Sequence, residues 1–419
     1  MQWIGLGTQP RYYYGWVIVA VLSLIGGWAL SMGGSNVGFF IDPMREELGF
    51  NRAVFGWATT ARLVLGASSG IVIGRILDRF GPRLLLAVSG GLAGLLVMAT
   101  GRIDAEWQLI AIFAVLGLLG MQGTATIYTS PTVAKWFVRK RPRAMGMLFL
   151  GTPIALTISF PLTQWLIGEL GWRDAWLVLG GIGMAIMVPL SLLLLRRQPE
   201  DMGLLPDGDT DLDAAAGQGA SQEYPWTRSE ALRTPAFWRL TTVFAVQMFA
   251  AGSLSVFRFP HMVENGISAT TVSFAASAEG AISAVPALGL GIVVTRFGLP
   301  NVGTVSYLIF ALGIAFIIVA SNPLMAFVAT MTWGVGISMV AMLQNTYYPV
   351  FFGRRNIGAI RGASLSVAMI AGASAGPLTG FIGDRTGGFE LVWWPVVGAV
   401  ALSGFLMGST RPPVAPPSV

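Results

Sequence analysis

Apolar runs of some 20 residues recur along almost the whole chain, and no other feature constrains its folding so tightly. A run of roughly 20 mostly apolar residues is long enough to cross the hydrocarbon core of a bilayer as a helix. About twelve such runs lie near 14–40, 53–76, 84–101, 108–134, 144–168, 174–195, 236–262, 270–295, 301–320, 323–351, 358–382 and 389–408. Barrel strands do not fit, because they alternate over about 10 residues and these runs are longer and apolar throughout. The expectation is an all-α membrane protein of twelve transmembrane helices, numbered here as spans 1–12. Composition agrees: 54% of the 419 residues are hydrophobic and 11% are charged, against roughly 25% charged in a soluble domain. Glycine is abundant, as expected where helices approach closely in lipid. Cysteine is absent, which excludes disulfides, thiolate metal sites and a cysteine nucleophile. The N-terminus has no cleavage pattern of a signal peptide, so the first run reads as a retained helix.

The basic residues choose an orientation. Loops on one side hold Arg75, Arg79, Arg83, Lys135, Arg139, Lys140, Arg141, Arg143, Arg196, Arg197, Arg354, Arg355 and Arg361. The opposite loops hold only Arg45, Arg52, Arg102, Arg173 and Arg385. The positive-inside rule then places both termini in the cytoplasm, with the chain a multi-pass protein of the cell (inner) membrane. The basic pI reflects this bias. A nucleic-acid partner is not expected, since no soluble module carries a clustered basic face.

Residues 196–235 break the apolar pattern with RRQPEDMGLLPDGDTDLDAAAGQGASQEYPWTRSEALRTP, acidic and rich in Pro and Gly. They read as a cytoplasmic linker, either a solvated tether or a regulatory contact, between bundles at 1–195 and 236–419. The two bundles repeat one another. GRILDRFGPR at 74–83 matches GIVVTRFGLP at 291–300, an offset of 217, and Pro43, Glu47 and Gly49 match Pro260, Glu264 and Gly266 at the same offset. IGELG at 167–171 matches IGDRTG at 382–387. Two parallel copies place a substrate site near the bilayer midplane, between them.

Gly74, Asp78, Arg79, Gly81 and Arg83 resemble the signature loop of the major facilitator superfamily, which lies between its second and third helices. FFIDPMREELGFNRAVFGWA, KWFVRKRPRAMG, PEDMGLLPDGD and EALRTPAFW resemble the branch of monocarboxylate-transporter-like and oxalate/formate-antiporter-like carriers. The resemblance implies two pseudo-symmetric six-helix bundles, alternating access, and a carrier of small organic anions, often proton-coupled. It implies that the signature loop latches one conformation. At the span 8 positions where monocarboxylate carriers commonly hold an aspartate and an arginine, this chain has about Ser283 and Ala287. GASAGPLTG at 372–380 resembles an antiporter motif but lies in span 11, so its small residues read as helix packing.

Charge at membrane depth is costly and faces a cavity or a partner. Arg62 in span 2, Arg258 near the end of span 7 and Glu279 in span 8 are the candidates. Arg62 and Glu279 are 217 residues apart, so the repeat puts them at equivalent depths. Glu279 reads as a proton-coupling carboxyl, a site for a cationic group, or a structural partner of Arg62 or Arg258. Arg62 reads as a ligand for a substrate carboxylate or as a counter-ion. Arg258 reads as a vestibule anion ligand or as a snorkelling anchor. His261, the only histidine, reads as an ordinary loop residue at an outer end, with external pH sensing the alternative.

Spans 1, 4, 7 and 10 line the cavity in the fold that the resemblance implies. They offer Trp28 and Asn36, then Gln122 and Tyr128, then Gln247, then Trp333, Gln344, Asn345, Tyr347 and Tyr348. Amides and phenols hold a carboxylate without added charge, and aromatics hold an apolar carbon skeleton. The expected function is proton-coupled symport of a small organic anion by alternating access, in a chain that works as a monomer without a cofactor. The alternatives are exchange of organic anions, carriage of a neutral or amphiphilic compound, and a non-transporting sensor. No nucleotide loop or metal cluster in the sequence points to an enzyme.

Overall fold

A computed structural model describes residues 13–120, 128–208, 226–353 and 356–413. All regular structure among the described residues is helical. Each of the twelve apolar runs falls on helix. Spans 2, 3, 7 and 9–12 are single helices: Arg52–Phe80, Pro82–Thr100, Pro235–Glu264, Leu299–Val319, Pro323–Phe352, Ile357–Thr386 and Glu390–Ser409. Spans 5 and 6 form the helix Gly151–Leu194, preceded by Arg141–Phe149, with Gly171 at φ 78° turning the chain between them. Span 4 is seen as Glu106–Leu118 and Thr129–Trp136, and Gln122 lies outside the described residues.

Among the described residues, spans 1 and 8 are also interrupted. Span 1 runs as Gly15–Leu30, widens into a π-turn at Ser31–Ser35, and continues as Val37–Leu48. A π-turn adds a residue per turn and often marks a working part of a helix. Here its Gly34 lies against the Arg62 guanidinium, 2.5 Å from where a Cβ would stand. Span 8 breaks at Ser283, between Ala269–Ile282 and Ala284–Phe297, just ahead of Pro286. Proline lacks a backbone N–H and crowds the preceding turn, which accounts for the break.

The repeat is visible in the backbone. Gly81 and Gly298, 217 residues apart, turn the chain between matching helices at φ 75° and 80°. Gly117 packs on the backbone of Arg62, and Gly334, again 217 residues on, packs on the backbone of Glu279. Span 4 therefore meets span 2 as span 10 meets span 8.

The first six and last six spans meet along two seams. In one, span 11 packs on span 2. A Cβ added to Gly376 would stand 3.0 Å from Gly56 Cα, and one on Gly380 would stand 2.7 Å from Ala53 Cα. Thr60 donates to Ala373 O in the same seam. GASAGPLTG thus does pack helices, and does so between the halves. In the other, span 5 packs on span 8: Ser277 Oγ donates to Thr157 O at 2.6 Å and Thr157 Oγ1 to Ser277 O at 3.3 Å. Farther from the basic loops, Phe39 stacks on Phe259 with centroids 4.6 Å apart. These contacts close the side opposite the basic loops, called the far side below.

The start of the linker is docked rather than a free tether. Asp207, 3% exposed, accepts from the backbone N–H groups of Val138, Arg139 and Lys140 at 2.9, 2.7 and 3.0 Å. Burial pushes the Asp207 carboxyl up, but these three donors outweigh it and hold its pKa below the usual range. The end of the linker docks on the last six spans, where Trp226 meets Phe352 edge-on and Asn356 Nδ2 donates to Trp226 O at 2.8 Å.

Candidate functional site

The strongest candidate is a buried ion pair with capacity left over. Arg258 in Pro235–Glu264 and Glu279 in Ala269–Ile282 are 6% and 7% exposed. Arg258 Nη2 donates to Glu279 Oε1 at 3.0 Å. The guanidinium carbon lies 4.6 Å from the Phe259 ring centroid and 5.2 Å from that of Trp333. Gly334 lets span 10 come this close, since a Cβ there would stand 2.6 Å from Glu279 Cγ.

The pair is incompletely satisfied. Arg258 Nε and Nη1 and Glu279 Oε2 are buried without a hydrogen-bond partner. Buried polar atoms normally find partners, and leaving them unmade is costly. A carboxylate fork on this guanidinium pairs Nη2 with either idle donor, so it opens only when Glu279 lets Nη2 go. Protonating Glu279 would remove the competing carboxylate.

Of the two readings of Arg258, an anion ligand or a snorkelling anchor, the geometry disfavours the anchor: the helix continues to Glu264 and Arg258 turns to Glu279. The partner of Glu279 is also settled among the described residues: it is Arg258, on the neighbouring helix of the same half, not Arg62. Arg62 is 6% exposed and donates to Ala29 O at 3.3 Å, against span 1.

The uncharged candidates divide by whether their polar atoms are engaged. Gln247 Oε1, Gln344 Nε2 and Trp28 Nε1 are buried and unpartnered. Asn36 is committed between helices, giving Nδ2 to Thr163 at 2.6 Å and accepting from Ser159 at 3.3 Å. Tyr128 donates to Leu119 O and contacts Ser89, and Tyr347 donates to Leu299 O at 2.9 Å. Tyr348 bonds Ser364. Asn345 is exposed and donates to Ala341 O of its own helix at 3.1 Å. His261 is no loop residue: it is 2% exposed, its Nε2 bonds Ile318 O at 3.1 Å, and it meets Trp393 edge-on.

The signature-loop residues sit where span 2 turns into span 3. Gly74 and Asp78 lie in the helix Arg52–Phe80, and the Asp78 side chain is outside the described set. Arg79 and Arg83 are exposed, and Gly81 packs against the Arg197 side chain.

A far-side cluster escaped sequence reasoning. Arg52, counted only as a loop cation, pairs with Glu264 and lies 5.0 Å from the Phe389 ring centroid. Glu264 had been flagged solely as a repeat match. Asp384 sits in the repeat match IGDRTG, so acids matched between the halves near helix ends were the available signal.

Known proteins share this architecture. The family model described as Major Facilitator Superfamily matches residues 23–375. Monocarboxylate transporter 1 of Homo sapiens is 27% identical over 189 residues, 44% of this chain and 37% of that protein, so the match spans well under half of that relative. The oxalate:formate antiporter of Oxalobacter formigenes is 25% identical over 376 residues, 86% of this chain and 83% of that protein. Among solved structures, a bacterial homologue of the human lysosomal transporter Spinster superposes with a TM-score of 0.66 at 16% identity, covering 96% of this chain and 95% of that one. The nucleoside transporter NupG superposes with a TM-score of 0.68 at 13% identity, covering 94% and 98%. The chain belongs to the Major Facilitator Superfamily.

Proposed function

We propose that the protein is a proton-coupled symporter of small organic monoanions that rocks bundles 1–195 and 236–419 about a central site. The observation that carries this reading is the Arg258–Glu279 pair with its idle donors. In the proposed cycle Glu279 takes a proton and releases Arg258 Nη2, and the substrate carboxylate takes Nη2 together with one of the idle donors beside it. Gln247, Gln344 and Trp28 contribute neutral contacts, and Arg62 supplies a second positive charge. The signature loop at Gly74, Asp78, Arg79, Gly81 and Arg83 latches the opposite conformation. The orientation has both termini in the cytoplasm of a bacterial-type inner membrane, supported by the skew of basic loops.

Similarity to monocarboxylate transporters supports the substrate class, over 44% of the chain. The match to an oxalate:formate antiporter over 86% of the chain favours a second reading, exchange of organic anions. Purified protein in liposomes separates the two. Symport gives accumulation of a labelled monocarboxylate driven by an imposed proton gradient and abolished by an uncoupler. Exchange gives uptake that needs internal anion and ignores the gradient. Binding without flux across a broad acid panel would overturn both.

A further inference from the structure

The helix of span 2, Arg52–Phe80, does not cap its own start. Asn51 precedes it in extended conformation, and its side chain makes no capping bond. The first N–H groups of a helix have no partner within it. Here they are met from the other half of the molecule. Asp384, near the end of Ile357–Thr386, accepts from Arg52 N on Oδ1 and from Ala53 N on Oδ2, both at 3.1 Å. The Arg52 side chain, in turn, pairs with Glu264 of span 7 and donates to Gly383 O at 3.4 Å. Phe389 lies beneath its guanidinium.

The equivalent position in the other seam is built differently. The span 8 helix is capped by its own Ser268, whose Oγ accepts from Thr271 N at 3.2 Å. Glu169, which occupies the place of Asp384 in IGELG, is exposed. The cross-half cap therefore belongs to one seam.

We propose that Asp384 is a removable N-cap supplied in trans, a positioning residue that holds the far side closed. The proposal is independent of what the protein carries. A carboxylate at a helix start satisfies orphan donors and complements the positive end of the helix dipole. When the halves part on the far side, the cap leaves and the N–H groups return to water. A contact present in one state alone biases the equilibrium toward that state.

The natural absence of cysteine allows clean double labelling. Spin labels go on Trp107→Cys and Leu324→Cys, far-side positions in opposite halves that are 68% and 74% exposed. Pulsed dipolar spectroscopy then reads the ratio of long to short far-side distances. We expect Asp384→Ala to raise that ratio about 5- to 30-fold, the size of a lost N-cap, and the isosteric Asp384→Asn to raise it less. Glu47→Gln is the control, because Glu47 bonds Arg173 at 2.9 Å and Trp172 at 2.6 Å within its own half. It should leave the ratio unchanged. An unchanged ratio in folded Asp384→Ala overturns the proposal, as does an equal rise in Glu47→Gln. If Asp384→Ala does not fold, the same criterion applies to Asp384→Asn.

Discussion

Replacing Arg258 with Met removes one partner of a buried ion pair while keeping most of the side-chain volume. At 3.0 Å, an effective dielectric constant of 20 gives an attraction of about 5.5 kcal/mol. Desolvating both ions offsets much of that, so the pair as a whole contributes little. Removing one partner differs, because it leaves the other charge buried alone, at a cost of about 3–5 kcal/mol. Loss of the contacts with Trp333 and Phe259 adds roughly 0.5–2 kcal/mol. Changing both residues, Arg258→Met with Glu279→Gln, removes both charges and should restore most of the loss. The assay is thermal or detergent-induced unfolding in micelles, arranged as a double-mutant cycle. We expect each single variant to unfold several degrees lower and the double variant to lie nearer the parent than Arg258→Met does. A single variant as stable as the parent, or a double variant whose loss equals the sum of the two, would refute a coupled buried pair.

Gly376→Val should wedge the seam between spans 2 and 11, where Gly56 Cα lies 3.0 Å from the added Cβ. Overpacking costs about 1–3 kcal/mol, so the same far-side distance measurement should show a shift to open; an unshifted distribution contradicts the packing. Asp207→Ala should cost about 2 kcal/mol in docking of the linker, since hydrogen bonds to a charged acceptor are lost, and limited proteolysis within 196–235 should accelerate. The sign with pH follows from the lowered carboxyl pKa. Its contribution is complete above the ordinary aspartate value near 4 and fades as pH falls through the lower folded value. Cleavage in the parent should therefore stay slow at pH 5 and quicken only well below pH 4.

Much of the fold was legible because bilayer thickness fixes the length of a span, and twelve runs of that length stand out. The interruptions were harder to see. The π-turn at Ser31–Ser35 sets Gly34 against the Arg62 guanidinium of another helix, a contact that local sequence does not announce. The site was legible by depth and not by direction. An offset of 217 aligned Arg62 with Glu279, and their matching contacts with Gly117 and Gly334 agree. An offset carries no information on which way a side chain turns, so it left both Arg62 and Arg258 open as the partner of Glu279, which reaches Arg258. The same limit applied to Asn36, Tyr128 and Tyr347. Knowing that their spans line a cavity did not reveal that their polar atoms brace neighbouring helices. Arg258 stood open between an anion ligand and a snorkelling anchor because the apolar run ends just beyond it, whereas the helix persists through Pro260 to Glu264.

The most direct test of proton-coupled anion transport is Glu279→Gln in proteoliposomes, with net uptake and exchange measured side by side. Net uptake driven by a proton gradient requires the carboxyl to load and unload a proton, whereas exchange of anion for anion does not. We expect gradient-driven accumulation of labelled monocarboxylate to disappear while counterflow across the same membrane continues. Accumulation that survives Glu279→Gln at the parental rate would contradict Glu279 as the coupling group.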